Sequence, residues 1–214
     1  TDAGENWRVA VLPDPPPQIS ALAVSPAYAV DGFVLATTFR RGVLYSTDRG
    51  EIWLTGNFSL LDYHVLTVVI SPDFASDRTA LIGTETGAFS SNNGGRSWQD
   101  VDLPYAAVTT LSFAPDGQLY AGTEGDGMFV SSDKGQSWTR ANLQSTLIVD
   151  LILTPPTHEL LVFAVDRLYV SRDRGERWQM QALRTSVTAA ATLPAGVLLV
   201  GYADGTISRV ELQQ

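Results

Sequence analysis

The chain has 214 residues, of which 44% are hydrophobic and 17% charged. That composition suits a folded globular domain and excludes a disordered segment. It has no cysteine and a formal net charge of −9, which excludes disulfides, zinc–thiolate sites and thiol nucleophiles and makes duplex nucleic acid and anionic membrane surfaces poor partners.

In chain order, Trp7 to Leu12 is a short strand, followed by the stiff connector Leu12-Pro13-Asp14-Pro15-Pro16-Pro17. Sets of strands then recur. The first is Ser20 to Ser25, Phe33 to Phe39 and Gly42 to Ser46, with a fourth strand beginning at Trp53. The second is Val65 to Ser71, Ala80 to Thr84 and Gly87 to Ser91; the third is Val108 to Ala114, Gln118 to Thr123 and Gly127 to Ser131. The fourth is Ile148 to Thr154, Leu160 to Val165 and Arg167 to Ser171, and the last is Val187 to Leu193, Val197 to Tyr202 and Thr206 to Leu212. These runs alternate or are wholly apolar, as antiparallel strands facing a core must be. Pro26, Pro72, Pro115, Pro155 and Pro194 end the innermost runs, where a residue without an amide donor is tolerated. Two sets carry a longer first turn, with Tyr28 and Phe74 as its expected anchors.

Between the third and fourth strands lies one repeated motif, S-x-[DN]-x-G-x-x-W. Its copies are Ser46, Asp48, Gly50 and Trp53; Ser91, Asn93, Gly95 and Trp98; Ser131, Asp133, Gly135 and Trp138; Ser171, Asp173, Gly175 and Trp178. A fifth copy, Asp2, Gly4 and Trp7, lacks only its serine. All five tryptophans of the chain fall at this position, and the acidic position recurs after 46, 45, 40 and 40 residues. A hairpin turn needs a carboxylate to accept its amides, a hydroxyl to brace it, glycine for positive φ and a large apolar ring to pack beneath. Asn93 keeps the acceptor and loses the charge. These residues are therefore read as structural.

The motif is similar to the Asp-box, or BNR repeat, of sialidase-like propellers, and the resemblance covers the whole chain. Relatives of that kind include sialidases, xyloglucan hydrolases, sortilin-type receptors and a photosystem II assembly factor. The resemblance implies an all-β propeller of four-stranded antiparallel blades. The blades are expected at about 19–58, 64–102, 107–143, 147–183, and 186–212 joined with 7–12. Trp7 to Leu12 is expected to complete the final sheet and close a five-bladed ring. A start at Thr1, inside a repeat, is expected of a chain from which an upstream segment has been removed. The resemblance also favours an extracytoplasmic or secreted location.

In propellers of this kind, ligands bind at the end opposite the box turns. There the loops between second and third strands carry Phe39, Arg40, Arg41, Glu85, Glu124, Asp126, Asp166, Arg167, Tyr202 and Asp204. The crossovers between blades add Asp62, Tyr63, His64, Asp100, Asp102, Tyr105 and Arg184. This end is the expected binding face for a protein or glycan; nucleic acid and membrane insertion are not expected, nor is a cofactor or metal. A sialidase needs an arginine cluster for the substrate carboxylate and a Tyr–Glu pair. Phe39-Arg40-Arg41 supplies no such set, and the inner strands are apolar or small. The alternative is a glycoside hydrolase using a carboxylate pair among Glu85, Glu124, Asp126 and Asp204.

Overall fold

The computed structural model describes residues 5–103, 106–143, 147–154, 159–193 and 197–210. Asp2, Gly4, Tyr105, Pro155, Pro194 and the end of the last expected strand lie outside the described residues. Alternating apolar runs and tight turns produce five antiparallel sheets, each built from consecutive strands. The first is β1 (Ile19–Val24), β2 (Val34–Thr38), β3 (Gly42–Ser46) and β4 (Leu54–Thr55). The second is β5 (Val65–Ile70), β6 (Ala80–Thr84), β7 (Ala88–Ser91) and β8 (Gln99–Asp100). The third is β9 (Val108–Phe113), β10 (Leu119–Thr123), β11 (Met128–Ser131) and β12 (Thr139–Arg140), and the fourth β13 (Ile148–Thr154), β14 (Glu159–Ala164), β15 (Arg167–Ser171) and β16 (Gln179–Ala182). The fifth has three described strands, β17 (Val187–Leu193), β18 (Val197–Tyr202) and β19 (Ile207–Val210). This is a β-propeller arrangement, with each blade's first strand innermost: β5 packs between β1 and β9, and β13 between β9 and β17.

The two middle strands of the first four blades are the most buried. Leu35, Leu81, Leu119 and Leu161 are fully enclosed between neighbouring sheets. Core clusters accordingly span blades, as when Trp98 packs with Phe33, Leu35 and Val43. A repeat of this kind cannot cover its own faces, so stability comes from stacking neighbour on neighbour.

The longer first turns are short helices, α1 (Tyr28–Asp31) and α2 (Phe74–Asp77). Phe74 is buried against Phe33 at 4.7 Å between ring centroids, so it anchors its helix. Tyr28 stays partly exposed, its hydroxyl donating to the Arg49 carbonyl at 3.4 Å.

The four described box turns are held the same way. The serine hydroxyl donates to the acidic side chain, 2.7 Å from Ser46 to Asp48 and 2.8 Å in both Ser131–Asp133 and Ser171–Asp173. That same hydroxyl accepts the glycine amide, at 2.9 Å for Gly50 and 2.8 Å for Gly135 and Gly175. The acidic side chain accepts the amide before the tryptophan: Ile52, Ser137 and Arg177 at 3.0, 2.9 and 2.8 Å. Asn93 does the same for Ser97 at 3.1 Å without a charge.

The expected ring closure is not shown: the fifth sheet has three described strands, and the segment from Trp7 to Leu12 is hydrogen-bonded into none of them. Trp7 to Leu12 is expected as the fourth strand of the last sheet; Val11 bridges Ile52 in parallel, its amide donating to the Glu51 carbonyl at 3.3 Å. The same contact recurs one repeat later, where Phe58 bridges Ser97 in parallel. The tail of an outer strand thus clips onto the box turn of the following blade. Trp7 to Leu12 holds that position beside the first blade, while β17 does not pack along β1 as the other inner strands pack along one another. Trp7 is 89% exposed, and Leu22 and Val24 on β1 are also uncovered.

Candidate functional site

The loops between second and third strands gather at one end, here termed the crossover end. In three blades the second strand finishes on a buried threonine whose hydroxyl donates to a carbonyl across the turn: Thr38 to Gly42 at 3.0 Å, Thr84 to Gly87 at 3.0 Å and Thr123 to Gly127 at 2.8 Å. The next residue is pinned through its amide to the incoming crossover: Phe39 to Gln18 O at 3.2 Å, Glu85 to His64 O at 3.2 Å and Glu124 to Ala107 O at 2.8 Å. Phe39, Glu85 and Glu124 therefore hold equivalent positions in successive blades on a braced scaffold.

Between the first two blades this scaffold frames an open cleft of about 680 Å³ lined by Gln18, Phe39, Arg40, His64 and Glu85. Phe39 is 38% exposed and offers a ring face beside one cation and one anion. Beneath the cleft Asp62 accepts the His64 amide at 2.9 Å and the Thr86 hydroxyl at 2.7 Å, with His64 Nδ1 3.3 Å away. Partial burial works to raise the Asp62 carboxyl, but these hydrogen bonds outweigh it and hold it below the ordinary carboxylate value. Asp62 thereby remains an anion that orients the imidazole. Asp62, His64 and Gln18 were not among the leading candidates from sequence. The adjacency of Asp62 and His64 in one crossover was the available signal.

The other candidates lie elsewhere. Arg41 donates to the Pro15 carbonyl at 2.8 Å and is turned toward the proline-rich connector. Tyr63 is exposed, and its carbonyl accepts the Gly42 amide at 3.1 Å. Asp126 is half-buried in the third blade's loop, with Glu124 exposed beside it. Asp166 and Arg167 pair with each other at 3.5 Å on the fourth blade. On the fifth, Arg184 lies over the Tyr202 ring at 5.3 Å and pairs with Asp204 at 3.2 Å. Asp204 is held low chiefly by the Thr206 hydroxyl. Tyr105 lies outside the described residues.

The inner strands hold one acid that the description "apolar or small" passed over. Asp150 on β13 is pushed up by burial, against opposing bonds from the Leu151 amide at 2.8 Å and the Ala190 amide at 3.4 Å. The second bond crosses to β17, so Asp150 ties the fourth blade to the fifth. Among the described residues no group of three or more His, Asp or Glu side chains is arranged to hold a metal ion. No described helix is long and apolar enough to cross a membrane.

Comparison with solved structures gives the same architecture. The chain superposes on an ancestral GH74 enzyme with a TM-score of 0.75 at 17% identity, covering 91% of this chain and 31% of that one. A YCF48 structure bound to a D1 peptide matches with a TM-score of 0.68 at 18% identity, over 94% of this chain and 67% of that one. The GH74 xyloglucanase from Xanthomonas campestris matches with a TM-score of 0.68 at 20% identity, over 91% of this chain and 35% of that one. The chain thus spans about a third of the length of each GH74 protein, and at these identities the likeness shows the fold alone. No curated protein matches the sequence. A family model does, across residues 74–200, and the chain belongs to the DUF6242 β-propeller domain family.

Proposed function

We propose that this propeller is a non-catalytic binding or assembly module that takes a protein segment at its crossover end. The observation carrying this reading is the cleft of Gln18, Phe39, Arg40, His64 and Glu85, in which an exposed ring stands among opposite charges on a hydrogen-bonded scaffold. Such a mixture recognises an extended, mixed-charge chain better than it performs chemistry. The acid beneath it, Asp62, is spent on orienting His64 and is held ionised. YCF48 in complex with a D1 peptide supplies a precedent for peptide binding on this fold.

Glycan binding is the nearer variant of this reading. Carboxylate-pair hydrolysis is the more distant one, favoured by the equivalent placement of Glu85 and Glu124 and by likeness to GH74 enzymes.

A peptide display library and a glycan array, each screened against the wild-type chain and Arg40→Glu, test the proposal. Peptide ligands are expected whose affinity falls at least about tenfold on charge reversal. Sugar release from xyloglucan that disappears in Glu85→Gln, or ligands indifferent to both Phe39→Ala and Arg40→Glu, would overturn it.

A further inference from the structure

The box end carries a second cleft between the first and second blades, of about 530 Å³, with Arg78, Arg96, Asn92, Asn93, Gly94 and Asp31 in its lining. The next pair of blades shows what normally occupies such a place. There Asp77 accepts the Ser71 hydroxyl at 2.8 Å and the Thr79 amide at 2.8 Å, and Lys134 of the following box reaches in to pair with it at 2.6 Å. In the first blade Asp31 repeats the pattern, accepting the Ser25 hydroxyl at 2.7 Å and the Phe33 amide at 3.0 Å. The box position matching Lys134 is here Gly94, which has no side chain to fill the space. Arg174, at that position in the fourth box, likewise reaches Asp116 of the preceding blade at 3.1 Å.

Three departures from the repeat thus coincide. The filling cation is missing. The box carboxylate is replaced by neutral Asn93, whose side chain is turned onto Ser97, donating to its hydroxyl at 2.6 Å and accepting its amide. Two arginines stand at the opening, each exposed, and Arg78 and Arg96 each lie over an aromatic ring, Phe74 at 5.3 Å and Tyr45 at 5.6 Å. Neither has a carboxylate within 4.0 Å among the described residues. Both Asp31 oxygens are engaged from behind by Ser25 and Phe33.

We propose that this cleft binds a tetrahedral oxyanion, a sulfate or phosphate group, between the guanidinium groups of Arg78 and Arg96, with the Asn92 amide as a further donor. Guanidinium forks match such oxygens in pairs, and ring stacking limits the conformational freedom the arginines lose on binding. In a molecule of net charge −9, a cleft with two cations and one internally bonded acid is a local reversal of sign. The site lies at the opposite end from the proposed protein-binding cleft and does not depend on that reading.

Calorimetric titration with inorganic sulfate, inorganic phosphate and acetate tests it on the whole chain. Saturable binding of the tetrahedral anions at about millimolar concentration is expected, with acetate weaker. Arg78→Gln and Arg96→Gln should each weaken it about tenfold, the loss of one charge-assisted hydrogen bond. Asn93→Asp is the variant least able to disturb the fold, because it restores the acid that other boxes carry; it too should weaken binding about tenfold while thermal stability is kept. Arg40→Glu should leave the affinity unchanged. Absence of saturable binding, binding indifferent to all three box-end variants, or acetate bound as tightly as sulfate would overturn the proposal.

Discussion

The box tryptophans occupy one position in the repeat but differ in what their indole N–H meets, so they should differ in energetic weight. Trp98 is 1% exposed and its indole donates across the blade boundary to the Gly56 carbonyl at 2.7 Å. Trp138 is half-buried and donates within its own turn, to Gly135 at 3.1 Å. The buried Trp178 Nε1 has no acceptor among the described residues. Replacing Trp98 by Phe removes a bond to a buried carbonyl, which costs about 1–3 kcal/mol because the acceptor is left unpaired. The smaller ring also leaves a void of about 40 Å³, adding about 1 kcal/mol. Trp98→Phe should therefore destabilise by about 2–4 kcal/mol. Trp138→Phe should cost about 1 kcal/mol, since the half-buried ring bonds only within its own turn and ties no second blade, and Trp178→Phe the least, since no hydrogen bond is lost. Urea unfolding followed by circular dichroism, with fluorescence of the remaining tryptophans as a second probe, gives the three values. A cost for Trp138→Phe or Trp178→Phe equal to that for Trp98→Phe would refute the reasoning that cross-blade bonding sets the hierarchy.

Gly56→Ala should prevent stable folding, because a Cβ there would lie 2.0 Å from the Gly95 carbonyl oxygen of the next blade and neither backbone can retreat; limited proteolysis and soluble yield report it. Asp133 is drawn down to about 2, first by the Ser137 hydroxyl and then by the Ser137 amide and the Ser131 hydroxyl. Its folded pKa lies below the unfolded value, so its contribution is complete above about pH 4 and disappears as the pH falls toward 2. The difference in urea midpoint between wild type and Asp133→Asn should accordingly narrow between pH 7 and pH 2.5, and an unchanged gap would count against it. Lys134→Ala removes the pairs to Asp77 and Asp73 at 2.6 and 3.1 Å, but the site is solvent-accessible, so a loss of about 1 kcal/mol or less is expected, smaller still in high salt; midpoints at low and high sodium chloride measure it.

The sheets were legible because the information that specifies them is local. The box holds its hydrogen bonds within a few residues, Ser46 to Asp48 to Ile52, so a linear pattern reports a closed three-dimensional unit. The second strands announce themselves through burial on both faces, and the inner strands through apolar or small runs ended by proline. The fourth strands were only marked by their tryptophans, because Leu54–Thr55 and Gln99–Asp100 are two exposed residues each and carry no periodicity. What a segment binds across space was not legible. Trp7 to Leu12 has the sequence of an outer strand, and that is compatible with any blade; only the Val11–Ile52 bridge says which neighbour it meets. The same limit applied to function. Phe39, Arg40 and Glu85 were picked out by loop position, but that Phe39 and Glu85 are equivalents, and that Asp62 positions His64 between them, follows from backbone bonds to Gln18 and His64 that no spacing rule encodes.

A repeat protein carries its own controls, and this is why substitutions within it can be weighed. Every box must turn a hairpin, so residues common to all of them are explained by the turn, and only departures call for a further cause. Asn93 turns its hairpin as Asp133 does, through the same amide of the residue before the tryptophan, at 3.1 and 2.9 Å. The hairpin therefore gives no reason for the missing charge. Gly94 gives none either: Arg49, Lys134 and Arg174 adopt the same left-handed φ at 68°, 59° and 62°, so a long cation is sterically acceptable there, and a Cβ on Gly94 would meet its nearest neighbours at an ordinary 3.6 Å. Two departures that folding does not require, adjacent in sequence and facing the same two arginines, place the unexplained chemistry of the box end in one cleft rather than around the ring.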